Sequence, residues 1–370
     1  MEKTIGLLLI IGLGLFLQKK VKSSDHLRGI KTIILSVALP ATIFAALLKV
    51  KLDVEMLMLP LFGLLINIVL ITAFYLIFKY LVDVQSDKKR SFLMLMPSLA
   101  PGLSCFPFIM EYLGSESLAH AALADLGNKI FVLILLYMLA MRWYYQRNVE
   151  KKVSNDNRVK ELLISLIKEP INLVIIAAIL LLSMGINIDS LPPVISSLVL
   201  RLSAIMGPLV LLFIGMAVKI KKNDVWFILR MLSLRAGIAF LLCACLLFVL
   251  PGLTTVMSLL LLVFAQSSVS FWPFAHIATV TEMEKDNRDK TFNSDIALSV
   301  LAISLPFSTI TILGILSVPA IAISALYPAV AGILLIMVST IPPLIVWFRN
   351  FRGIKGQELE ISPNASAVEK

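Results

Sequence analysis

Long apolar runs, separated by short polar and basic stretches, repeat along the whole chain. Runs of roughly 17–25 residues have the length of a helix that crosses a bilayer. The pattern predicts eleven such spans, at about 4–16, 29–48, 54–82, 91–113, 118–142, 169–185, 198–218, 230–250, 255–280, 292–316 and 321–347. The fourth and the ninth carry residues that a helix rejects. One contains Pro97-Ser-Leu-Ala-Pro-Gly-Leu-Ser-Cys-Phe-Pro107-Phe108, the other Ala265-Gln-Ser-Ser-Val-Ser-Phe-Trp-Pro273-Phe274. Proline removes a backbone donor and clashes with the carbonyl four residues back, and glycine costs about 1 kcal/mol in a helix interior. In hydrocarbon such breaks survive only when buried in protein or lining a wet cavity. Two interrupted helices in one chain mark a secondary transporter whose site lies between them.

Composition supports the membrane reading. Of 370 residues 59% are hydrophobic and 15% charged, and mean hydropathy is +0.95. Soluble domains carry about 25% charged residues. The net charge of +10 would suggest nucleic acid in a soluble protein. Here the basic residues gather between spans and read as cytoplasmic loops, with no nucleic-acid partner. The first loop holds Lys19, Lys20, Lys22, Arg28 and Lys31, and the third Lys79, Lys88, Lys89 and Arg90. The seventh holds Lys219, Lys221, Lys222 and Arg230, and the tail Arg349, Arg352 and Lys355. The expected topology puts the N-terminus outside, the C-terminus in the cytoplasm and the chain in the plasma (cytoplasmic) membrane. Basic residues follow the apolar stretch 5–17 instead of preceding it, so it reads as a retained helix and not a signal peptide.

Enzyme chemistry finds no support. Cys105, Cys243 and Cys245 lie in apolar spans, and His26, His120 and His276 lack metal-ligand spacing. No Walker motif and no nucleophile elbow is present. No cofactor is expected, and sodium or a proton stands as the candidate coupling ion.

The two halves repeat. Pro107 and Pro273 are 166 residues apart and share their flanks, Ser-Cys-Phe-Pro-Phe against Ser-Phe-Trp-Pro-Phe. Pro40 and Pro208 are 168 apart. Leu126-Gly-Asn128-Lys129 falls opposite Phe292-Asn-Ser294-Asp295. Spans one to five match six to ten, and because five is odd the second half enters from the opposite side. The expected divisions are a first repeat at 1–142, a cytoplasmic basic linker at 143–168 and a second repeat at 169–316. An extra helix at 317–348 and a cytoplasmic tail at 349–370 follow.

Leu39-Pro-Ala-Thr-Ile-Phe44, Phe106-Pro-Phe108 with Gly114 after it, and Trp272-Pro-Phe274 resemble the auxin efflux carrier family of permeases. That family includes PIN-like carriers and bacterial malonate- or malate-type permeases. The likeness covers about residues 1–316. It implies an all-α polytopic membrane protein of two inverted five-helix repeats with crossed broken helices, a bile-acid-symporter and NhaA-like plan. It also implies transport of small organic anions. Two departures stand out. Many members carry Asn seven residues before the crossover proline, where this chain has Ala100 and Gln266. The eleventh span has no counterpart in ten-helix members.

A broken helix leaves orphan N–H groups and partial positive charge at the start of its second piece, which suits an anion. The expected binding residues are Pro101, Gly102, Ser104, Phe106 and Pro107 from the first break. Gln266, Ser267, Ser268, Ser270, Trp272 and Pro273 come from the second, with Phe106 and Trp272 as walls. Serines that bond only their own helix are the bland alternative. Asp125 and Lys129, four apart, face one side of the fifth span and can pair, and the repeat offers Lys129 a second partner in Asp295. Whether these serve coupling or only structure stays open at this level. Asn67, Asn128, Asn172 and Asn293 either coordinate an ion or hold helices together. The function expected is a permease of a small organic anion, a carboxylate, working by alternating access. A sodium-coupled symporter of bile-acid type and a non-transporting sensor or scaffold are the alternatives. Membrane lipid and the anion are the expected partners, with a homodimer as the candidate assembly.

Overall fold

The computed structural model describes residues 2–18, 20–21, 24–49, 58–80, 82, 84–147, 164, 170–217, 225–285 and 289–340. Among them every regular element is helical and no strand occurs. Apart from Ile164, the basic linker beyond Arg147 lies outside the described residues, as do the last residues of the expected eleventh span and the polar tail. So do the loop residues Lys19, Lys22, Lys51, Lys219, Lys221 and Lys222.

The helices run α1 Glu2–Leu17, α2 Ser24–Ile33, α3 Leu39–Leu47, α4 Leu59–Tyr80, α5 Ser86–Leu95, α6 Pro101–Ser104, α7 Phe106–Ile130 and α8 Leu136–Arg147. There follow α9 Pro170–Ser183, α10 Pro193–Ala204, α11 Met206–Ala217, α12 Val225–Val249, α13 Thr255–Ala265, α14 Phe271–Met283, α15 Ser294–Ser317 and α16 Pro319–Ala322. A final apolar helix, α17, is Leu326–Thr340. Among the described residues six helical stretches are long and apolar enough to cross a membrane: Asp25–Leu47, Leu59–Tyr80, Phe106–Arg147, Pro193–Met216, Val225–Val249 and Ser294–Ser317. Ile5–Leu17, Pro170–Ser183, Thr255–Ala265 and Leu326–Thr340 are apolar but shorter. This is the build of a membrane-embedded helical protein. It differs from eleven uniform spans because α1, α9 and α17 are short and the fourth and ninth spans are interrupted.

The stretch Phe106–Arg147 has 42 residues. A straight helix of that length would reach about 63 Å at 1.5 Å per residue, twice the roughly 30 Å hydrocarbon core. Gly114 resolves the conflict. Its φ of 86° lies in the left-handed region, where a side chain is disfavoured, and it turns the chain between the expected fourth and fifth spans.

Small residues set the helix crossings. A Cβ on Gly127 would overlap the Pro60 carbonyl oxygen, and one on Gly63 the Ala124 carbonyl oxygen, so α4 and α7 meet backbone to backbone. Gly14 and Gly215 do the same for α1 and α11, and Gly237 and Gly332 for α12 and α17. In lipid, where apolar burial against a neighbour gains little over burial in acyl chains, close backbone packing is what holds helices together.

The buried apolar residues form two clusters. The main helices pass through both, and the changeover is polar. On α12 the residues Ile228–Leu234 belong to one cluster and Ala239–Leu247 to the other, with Arg235 between. On α7 the changeover holds Asp125, Asn128 and Lys129. On the segment from α13 to α14 it holds Gln266, Ser267 and Ser268, and after α5 it holds Ser98. A polar seam therefore crosses the middle of an apolar bundle, at the level of both helix breaks.

Candidate functional site: two helix breaks and the cavity between them

The first break follows from its prolines. Pro101 has no N–H to give the carbonyl of Pro97, so the helix cannot continue through this turn. A buried carbonyl must nevertheless be satisfied, and six consecutive ones are. Leu95 accepts from the backbone N–H and the hydroxyl of Ser98. Met96 accepts from Arg235 Nε at 2.8 Å, Pro97 from Asn67 Nδ2 at 2.6 Å and Ser98 from Arg235 Nη2 at 2.9 Å. Leu99 accepts from Asn128 Nδ2 at 2.9 Å, and Ala100 from Ser104 Oγ at 2.8 Å. The Leu99 N–H donates to Asn128 Oδ1 at 3.1 Å, so Asn128 grips both backbone groups of Leu99.

The second break leans on the first. Ala100 N–H donates to the Ser268 carbonyl at 2.8 Å. Ser268 N–H donates to Ser104 Oγ at 2.9 Å, and Ser270 N–H to Ser98 Oγ at 3.0 Å. Gln266 points away from this junction: its Nε2 donates to the Ala236 carbonyl at 3.1 Å, and its own carbonyl accepts from Ser308 Oγ. Ser270 caps α14 by accepting from Trp272 N–H at 3.3 Å.

Beside this junction is a cavity of about 380 Å³. Leu99 to Leu103 form one wall and Ser268 to Trp272 another. Leu298, Leu301 and Leu305 of α15 and Phe213 of α11 complete an apolar lining. Among the described residues three charged side chains reach it: Lys31, Asp125 and Lys129. Lys129 Nζ lies 3.5 Å from Asp125 Oδ2 and donates to Asn172 Oδ1 at 2.9 Å. Asn128 Nδ2 donates to the other oxygen of Asp125 at 2.8 Å. Lys31 Nζ stands 4.3 Å from the centroid of the Phe271 ring, a cation–π contact. Two lysines against one carboxylate leave the lining with a surplus positive charge.

The expected site residues divide. Pro101, Gly102, Ser268, Ser270 and Trp272 line the cavity, with Asp125, Asn128 and Lys129. Ser104, Phe106, Pro107, Gln266, Ser267 and Pro273 do not. Phe106 is fully buried in an apolar cluster and is no wall. Ser104 and Gln266 bond backbone instead. Asn67 holds the first break. Asp295 and Asn293 lie elsewhere, in a second cavity of about 740 Å³ with Asp87, Arg90, Arg147, Asp289 and Lys290. Lys129 is thus paired with Asp125 and not Asp295, whose side chain is exposed near the charged loop at the start of α15. Among the described residues of that second cavity three cations face three carboxylates, against two to one in the central cavity. There Arg90 Nε donates to the Thr291 carbonyl at 2.7 Å. Burial, and after it the Arg147 charge, lowers the Arg90 pKa, while Asp87 and Glu284 pull it up.

Two residues of the site went unread in the sequence. Arg235 sits inside an apolar run, and an arginine at that depth is costly enough to mark a site by itself. Lys31 counted only as a loop cation, although it begins an apolar stretch. No family model matches the chain, and no curated protein matches its sequence.

Proposed function

We propose that this chain is a secondary permease for a small organic anion, a carboxylate, bound between its two helix breaks and carried by alternating access. The observation that supports this most is the surplus positive charge of the central cavity, two lysines to one carboxylate among the described residues of a mostly apolar lining. An anion entering it replaces the missing negative charge, and the apolar walls suit its carbon body. The reading takes residues 1–142 and 169–316 as inverted five-helix repeats, with the broken fourth and ninth spans as the crossover and 317–348 as an added helix.

Several packing features agree with that plan. Helix α1 lies on α11, while α9 and α10 lie on α3, so each half lends its first helix to the second helix of the other. Helix α4 packs on α7 as α12 packs on α15. Asn67 and Arg235, which both bond the first break, are separated by the same 168 residues as Pro40 and Pro208. The likeness to auxin efflux carrier permeases rests on the short proline motifs. Loop charge alone supports the orientation with the N-terminus outside, and the plasma membrane is part of the proposal.

The test uses the full chain in proteoliposomes and in detergent. Mono- and dicarboxylates are screened for thermal stabilisation, and the best is taken into uptake assays with Lys31→Ala and Lys31→Arg. Loss of one charge contact at the cavity is expected to weaken affinity about tenfold, about 1.4 kcal/mol, in Lys31→Ala. Lys31→Arg is expected to keep most of it. Should no carboxylate stabilise the wild type, or Lys31→Ala bind it equally well, the reading fails.

A further inference from the structure

Arg235 is 4% exposed, and its Nε and Nη2 are both spent on backbone carbonyls. Its acceptors are Met96 and Ser98, at the C-terminal end of α5, where the helix dipole concentrates negative potential. In membrane carriers with broken helices, freed carbonyls at such C-terminal ends are what coordinate a metal cation. Here each of those carbonyls already has a donor. Arg235 takes two, Asn67 takes Pro97 and Asn128 takes Leu99. One acceptor nearby, Asn67 Oδ1, is buried with no hydrogen-bond partner among the described residues. A single oxygen does not replace the hydration shell of an alkali ion, which takes a ring of several.

We infer that Arg235 is the resident cation of the first helix break: its guanidinium fills the carbonyl cage that a sodium ion would otherwise need, so the anion site operates without a metal cation at this position. Arg235 is a positioning residue, since it touches backbone and not the cavity. Arginine suits the role. Its planar fork reaches two carbonyls at once and keeps its charge at any pH of interest. Asn67, at the matching position of the other half, bonds the same break without charge, so the two repeats brace one break and supply one cation between them. The inference rests on reading the breaks as the transport site, but its readout does not need the substrate.

The experiment measures thermal unfolding of the full chain, without added carboxylate, in sodium, potassium or choline chloride at equal ionic strength, and in choline chloride with dilute guanidinium chloride. The variants are Arg235→Lys, which keeps a charge, and Arg235→Met, which keeps length only. Wild type and Arg235→Lys are expected to unfold within about 1 °C of themselves in all three salts, since a ligand without a site stabilises nothing. Arg235→Met is expected to unfold at least about 5 °C lower in choline and to regain about half of that in sodium or in dilute guanidinium chloride. A role in packing alone would lower the transition without any response to cations. The inference is overturned if wild type gains several degrees in sodium over choline. It is also overturned if Arg235→Met is indifferent to every cation. If Arg235→Met does not fold, Arg235→Lys decides, because a sodium response in it shows that the cage is open to metal. Absence of carboxylate binding in every salt would sink the transport reading, while the cation response would still be legible.

Discussion

The two breaks resemble each other in sequence and differ in support. The first, from Pro97 to Pro101, is held by side chains from three other helices: Asn67 of α4, Asn128 of α7 and Arg235 of α12. The second, from Gln266 to Ser270, is held by the first, through Ser98 and Ser104, by its own cap and by one hydroxyl, Ser308 of α15. Both present unwound backbone to one cavity. The first is braced by a guanidinium and two amides, the second chiefly by hydroxyls. A proline-rich break has fewer N–H groups and more orphan carbonyls, so it needs donors from outside. A serine-rich break can use hydroxyls and neighbouring backbone. The difference teaches that a repeated motif need not repeat its energetics: one break is the anvil on which the other is set.

The largest expected effect sharpens this contrast at the flank of the first break. Lys129→Ala leaves Asp125 buried without its cation and is expected to cost about 3–5 kcal/mol in unfolding free energy. Removing Asp125 as well is expected to recover most of that loss. Equal losses in the single and double variants would show that the 3.5 Å contact carries no coupling. Next comes the direct comparison of the braces. Asn128→Ala strands both backbone groups of Leu99 and is expected to cost about 2–3 kcal/mol. Gln266→Ala gives up one bond to a carbonyl and is expected to cost about 1 kcal/mol. Chemical unfolding of the two purified variants measures the gap, and its reversal would break the asymmetry. The smallest pair concerns the serines. Ser104→Ala leaves the Ser268 N–H without its partner, at about 1 kcal/mol. Ser270→Ala removes a long cap bond at the start of α14, at about 0.5 kcal/mol. If Ser270→Ala proves the more damaging, the second break is self-supporting and the picture of dependence on the first is wrong.

Much of the site was visible before any coordinates. Pro97, Pro101, Gly102 and Pro107 announced the first interruption and Pro273 the second, although Pro107 and Pro273 prove to lie in the first turns of α7 and α14. Asp125 and Lys129 announced their own pairing by helical spacing. What stayed hidden was the division of labour. Ser104 and Gln266 read as ligands because they are polar and near a proline. They serve as backbone donors and acceptors, since each finds a nearer partner than the cavity. Phe106 read as a wall, but its ring turns into apolar packing. Asp295 read as a partner for Lys129 under the repeat, yet the sequence offset does not bring the two side chains together. Lys31 and Arg235 are the opposite case: the first counted only as a loop cation, the second was not singled out, and neither showed where it would be used.

Hydropathy, the helix-breaking power of proline and glycine, and the charge of loops are properties of neighbouring residues, so the chain alone determined that this is a membrane-embedded helical protein with two interrupted segments. The partner of a freed carbonyl is another matter. Met96 meets Arg235 across 139 residues, and Pro97 meets Asn67 across 30, in the opposite direction along the chain. A hydrogen bond is short and directional, so its two ends are matched only when helices have packed at a particular rotation and depth. Tertiary structure therefore decided which polar residues brace the breaks, which face the cavity, and how the sum of charge around it came to be positive.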